Sequence, residues 1–111
     1  MLIDYARAIV QHGRLVQTRS ARESPDGPYT VPCYRWRWGG AEVMLQLNLG
    51  YWACTVYGPW RPGAPFSNVW LLGHAAPWAK VHPEVKKWIV SLAEKGQAEE
   101  HRLEEVAHGR H

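Results

Sequence analysis

Three groups of side chains in this sequence are of types that do chemistry. Cys54 and His74 would form a thiolate–imidazole pair if the fold joined them, since a cysteine nucleophile needs a base within hydrogen-bond reach. His101 and His108, with His111 beyond them, would share a helix face, but helical metal ligands stand three or four residues apart, and His-rich termini bind metals weakly. Arg35 and Arg37, with Tyr51 and Tyr57, combine guanidinium groups and aromatic rings. Such a set suits phosphate contact with base stacking, or anchoring of a protein interface. Cys33 and Cys54 lie in no CxxC pattern, and there is no P-loop, GxGxxG, HExxH or GxSxG motif. The expectation is therefore no catalytic residue, no metal and no cofactor.

These side chains must be positioned by elements, and the middle of the chain defines them best. Val31 to Trp38 and Ala41 to Leu49 flank Gly39-Gly40, a two-residue connection that closes a tight hairpin. The turn sets a register in which Trp38 faces Ala41, Trp36 faces Val43 and Tyr34 faces Leu45. On the other side Arg37 faces Glu42, Arg35 faces Met44 and Cys33 faces Gln46. A second turn at Leu49-Gly50 returns Tyr51 to Tyr57 as a third strand. One face then holds Trp36, Trp38, Val43, Leu45, Leu47, Trp52, Cys54 and Val56 and needs helical cover. The opposite face holds Arg35, Arg37, Glu42, Met44, Gln46, Asn48, Tyr51, Thr55 and Tyr57, and is expected to be the contact surface. Cys33 and Cys54 fall on opposite faces, which excludes a bridge between them.

The flanks supply the helices. Leu2, Ala6, Ile9, Gly13 and Val16 recur at steps of three and four, which predicts an amphipathic helix over residues 2 to 17. Residues 18–30 lack an apolar period and contain Ser24-Pro25-Asp26-Gly27-Pro28; an exposed loop is expected there. Residues 58–68 read as a second, proline-rich loop carrying Trp60, Arg61 and Phe66, followed by a short strand or helical turn at 69–72. His82-Pro83-Glu84 opens a second helix with a stripe of Val81, Val85, Trp88, Ile89 and Leu92, which Gly96 is expected to end. Residues 97–111 are a polar helical extension or tail. The expected fold is thus a small single α+β domain spanning 1–111. It has a three- to four-stranded antiparallel meander with an N-terminal and a C-terminal helix packed on one face.

Composition bounds the function. The chain has 111 residues, 46% of them hydrophobic and 21% charged, enough for a real core without staples. No apolar stretch approaches the about 20 residues needed to span a bilayer, and the N-terminus lacks a secretory pattern; a cytoplasmic location is expected. The net charge is +3, which does not by itself imply a polyanion partner. Arg, Ala, Gly, Pro and Trp are plentiful, the bias of GC-rich codons, which points to a bacterium or to a phage or plasmid living in one. Seven tryptophans exceed what a small core requires, and the surplus marks a contact surface.

Two functional expectations follow. The first is a non-enzymatic protein-binding module, a small inhibitor or adaptor of a larger bacterial complex, of phage or mobile-element type. Its contacts would be Arg35, Arg37, Met44, Gln46, Tyr51, Tyr57, Trp60, Arg61 and Phe66. The second is binding of RNA or DNA through Arg19, Arg22, Arg35, Arg37, Tyr51 and Tyr57. The helix, meander, helix order resembles double-stranded-RNA-binding domains, although the lysine-rich start of their second helix is missing here and a Pro-rich insertion intervenes. Val69-Trp70-Leu71-Leu72, followed by Lys80 and a Pro83-led helix, resembles bacterial ribosome-dependent RNase toxins in hydrophobic pattern. That resemblance implies RNA cleavage using the Arg and Tyr sheet face and carries no catalytic residue across.

Overall fold

A computed structural model of the chain describes residues 2–48, 51–58, 67–72 and 81–109. They form helix α1 (Leu2–His12), strands β1 (Arg14–Ser24), β2 (Gly27–Trp38), β3 (Ala41–Asn48), β4 (Tyr51–Gly58) and β5 (Ser67–Leu72), and helix α2 (Pro83–Ala107). The strands make one antiparallel sheet in sequence order, a five-stranded meander. The α+β architecture with a helix at each end is as expected, and residues 69–72 take the strand alternative. The added strand is β1.

Every pairing expected for the central hairpin is present, from Trp38 opposite Ala41 to Cys33 opposite Gln46. Gly39 takes φ 58°, the left-handed value that a two-residue hairpin turn requires at its first position. The β3–β4 register also agrees, with Leu47 opposite Trp52, Leu45 opposite Cys54 and Val43 opposite Val56. Two short-range signals, the glycine turn and the alternation of side chains, therefore decide the middle of the sheet.

Both helices cover one face. Ala6, Ile9 and Val10 of α1 and Trp88, Ile89 and Leu92 of α2 pack on Tyr34, Trp36, Val43, Leu45, Cys54 and Val56 in a single buried cluster. Each aliphatic side chain enclosed there is worth about 1.5–3 kcal/mol relative to exposure. Trp38, expected in this cluster, instead sits at its rim, 43% exposed, with its ring centroid 5.1 Å from that of His12. The side chains of Leu47 and Trp52 lie outside the described residues.

The flanks depart from expectation in three places. Helix α1 ends at His12, not at residue 17, and residues 14–24 are strand. The segment 18–30 is consequently no loop: Ser20–Ser24 pairs with Gly27–Val31, and only Pro25 and Asp26 form the turn. Register shifts between Leu15 and Gln17 and between Gln17 and Arg19 put Leu15 opposite core-facing Trp36, Gln17 opposite outward Arg35 and Arg19 opposite Pro32. Residues two apart thus reach opposite faces, which removes the alternation by which a strand is read. The bulges and charges of β1 also blunt its free edge.

The third departure is in α2, which is capped as the sequence implies, His82 Nδ1 accepting from the Glu84 N–H at 3.2 Å with Pro83 in the first turn. It does not stop at Gly96 but runs to Ala107. Gly96 is buried against Tyr34, and a Cβ there would lie 2.5 Å from the ring. The glycine permits a close crossing of helix over strand. The extension 97–107 is helical, tied back by Arg19 Nη1 at 3.4 Å from Glu100 while Arg19 Nε donates to Thr30 Oγ1 at 2.9 Å. Among the described residues no helix is long and apolar enough to cross a membrane.

Candidate functional site

The candidate site is the outward face of the sheet at its hairpin end. Strand alternation places Arg35 and Arg37 of β2, Glu42 of β3 and Tyr57 of β4 on one side, with Arg37 opposite Glu42 and Glu42 opposite Tyr57. The sheet brings these four together as the sequence implies. They line, with the turn Gly39–Ala41, an open cleft of about 480 Å³. Beside it Gly58, at φ 121°, brings the end of β4 so near the turn that a Cβ would lie 2.8 Å from Ala41 Cα. Tyr57 is thereby held beside the glycines.

Charge in the cleft is largely satisfied from within. Glu42 accepts from Arg35 Nε at 2.9 Å and Nη2 at 2.7 Å, a two-pronged pair, and from Arg37 Nη2 at 3.2 Å. Arg35 Nη1 also donates to Gln17 Oε1 at 2.7 Å. Its hydrogen bonds to Glu42 raise the pKa of Arg35 above its already high ordinary value, so this guanidinium stays charged. Facing residues are not the strongest partners here. Arg35 reaches Glu42 along the sheet diagonal, a distance that a long side chain spans. No local signal places Gln17 here, because its segment carries the spacing of a helix.

Arg37 is the cation left over. It is 52% exposed, and one of its five N–H groups is engaged with Glu42. Exposed Arg14 pairs with it across β1 and β2 and adds like charge.

The rest of the expected contact face is not open. Gln46 is buried, and so are Cys33, Ala53 and Thr55, all on the inner strands; Met44 is half-buried. Thr55 is 0% exposed, and its Oγ1 lacks a hydrogen-bond partner among the described residues. Among the described residues the sheet is thus buried at its centre on both sides, and the part of the expected contact face that stays accessible is its hairpin end. Trp60, Arg61, Phe66 and His74 lie outside the described residues, as does the side chain of Tyr51.

Of the cation set expected for nucleic acid, one member points away from the rest. Arg19 turns to the helix-covered side to meet Glu100, while Arg22 donates to Ser20 Oγ at 2.8 Å and the Ala21 carbonyl at 3.0 Å on the β1–β2 ribbon. Arg19 therefore leaves the set, whereas Arg22 stays on the outward face by its register, nearer Cys33 than the hairpin end. Of the histidines, His101 Nε2 lies 3.2 Å from Glu105, and His108 caps α2. Among the described residues no three His, Cys, Asp or Glu side chains gather as a metal site.

Both described cysteines are free thiols and buried. Burial pushes the Cys54 thiol up to about 12 and raises that of Cys33 as well. At neutral pH neither supplies a thiolate, the nucleophilic form. Titration with a thiol reagent under denaturing, non-reducing conditions is expected to count two free thiols, and native protein at pH 8 to react far more slowly. A monomer with no free thiol would refute the strand register.

Compared with protein-family models, with curated proteins and with solved structures, the chain matches none.

Proposed function

We propose that this protein is a non-enzymatic protein-binding module, a small inhibitor or adaptor of a larger bacterial complex, that engages its partner at the hairpin-end cleft. One observation carries the reading: a pre-formed concavity offers one exposed guanidinium, that of Arg37, beside Tyr57, with the neighbouring charges of Arg35 and Glu42 locked to each other. Rigid Arg and Tyr groups in a shaped recess are the anchors that dominate protein interfaces, because little side-chain entropy is lost on docking. A surface for RNA or DNA would instead need several unneutralised cations along a track. Here Arg35 is locked to Glu42 and Arg19 turns to Glu100, which leaves Arg14 beside Arg37 as a short basic patch rather than a track.

The test is a tagged pull-down from bacterial lysate, with and without nuclease, comparing the natural protein with an Arg37→Ala/Tyr57→Ala double variant shown to be folded by circular dichroism. The expected result is a nuclease-resistant protein partner lost in the variant. Recovery of nucleic acid alone, with binding that falls steeply as salt rises, would replace this reading with the nucleic-acid one.

A further inference from the structure

We infer that the group seated in the hairpin-end cleft is a carboxylate side chain from an acidic segment of the partner polypeptide, held by Arg37 and Tyr57; this rests on the protein-binding reading above. The chemistry follows from which polar atoms face solvent. The Glu42 side chain is 12% exposed, and its oxygens already accept three hydrogen bonds from Arg35 and Arg37. Arg35 spends Nε, Nη1 and Nη2 on Glu42 and Gln17. The guanidinium of Arg37 keeps most of its donors and carries no acceptor. Half-buried Tyr57 lines the same cleft, and among the described residues its hydroxyl has no hydrogen-bond partner. The accessible side-chain groups can therefore all donate, the phenol being able to accept as well, and the local formal charge is positive, with Arg14, Arg35 and Arg37 set against Glu42.

A donor-rich, positive recess takes an anionic acceptor, and charge-assisted hydrogen bonds to it are roughly twice as strong as neutral ones. A carboxylate fits the number of donors better than a nucleic-acid backbone. One exposed guanidinium and one phenol match a single planar anion, whereas a phosphate chain repeats its charge every few ångströms and gains affinity only from a series of cations. Arg35 acts here as a positioning residue. Its two-pronged bond holds Glu42 in place, and Glu42 in turn steadies the Arg37 guanidinium through Nη2 while the other N–H groups stay available.

Titration of the isotope-labelled 111-residue chain followed by NMR tests this, with three probes. They are a capped peptide with two glutamates flanking a leucine between glycines, its glutamine counterpart, and a short oligothymidylate. The acidic peptide is expected to shift the Arg37 side-chain and the Gly39, Gly40 and Ala41 amide signals, with the glutamine peptide about tenfold weaker. Arg37→Gln should abolish these shifts, while Arg102→Ala, on the exposed side of α2, should leave them unchanged. Equal binding of the glutamine peptide would overturn carboxylate recognition yet leave a polypeptide-binding cleft. Oligothymidylate shifting the same signals while neither peptide does would overturn both readings. If no probe moves these signals up to millimolar concentration, the carboxylate site is refuted, and the pull-down alone then decides whether a protein partner exists.

Discussion

Trp36→Ala is expected to lower the free energy of unfolding by about 3–5 kcal/mol, the range for truncating a buried aromatic ring. Trp36 is 2% exposed, lies opposite Leu15 on one side and Val43 on the other, and has its ring 6.2 Å from that of Tyr34. The cavity would open between β1 and β3 beneath both helices, where main-chain pairing prevents collapse. Since a domain of this size has roughly 5–15 kcal/mol in total, much of its stability is at stake. Arg37→Ala, one residue along and on the other face, should cost under about 1 kcal/mol. Denaturant titration of the two variants checks the face assignment. Equal losses would sink it.

Gly13→Ala should destabilise by about 1–3 kcal/mol or more, the cost of forcing an atom into filled space. Gly13 joins α1 to β1, and its N–H donates to the Ile9 carbonyl at 2.8 Å. A Cβ there would lie 2.4 Å from that same oxygen and 2.5 Å from the Arg37 carbonyl oxygen. Both obstacles are main chain, so no rotamer change relieves them, and relief must come from moving α1 away from the hairpin. The sign of the effect is the decisive part. Were α1 to continue through residue 17, alanine would be the better helix former by about 1 kcal/mol and the substitution would stabilise. Thermal or denaturant unfolding of this one variant separates the two, and a gain in stability would contradict the helix end at His12.

The parts of this protein legible in its sequence are those fixed by neighbours in the chain. Gly39-Gly40 and the alternation from Cys33 to Gln46 determine the hairpin, its register and the side of the sheet on which Arg35, Arg37, Glu42 and Tyr57 stand. The stripe Trp88, Ile89, Leu92 and the His82-Pro83 start determine α2 and its buried side. A turn type and a side-chain period are local properties, and residues a few positions apart suffice to declare them.

Tertiary structure decided the rest. Residues 14–24 carry the three-and-four spacing of a helix at their start and no alternation after it, yet they pair with β2, with bulges that turn Leu15 and Gln17 to opposite faces. Pairing with a distant strand outweighed a propensity worth only tenths of a kcal/mol per residue. Gly96 has the composition of a helix stop, and only the ring of Tyr34, far off in sequence, shows that a close crossing needs it. The outward face reads as polar from end to end, yet Gln46 and Thr55 are buried and Arg37 is left exposed. Which cation Glu42 neutralises most fully, and hence that Arg37 stays exposed, depends on a diagonal contact and on Gln17 from a strand the pattern conceals. Solvent access and charge pairing are sums over segments brought together from across the chain, and no local period encodes them.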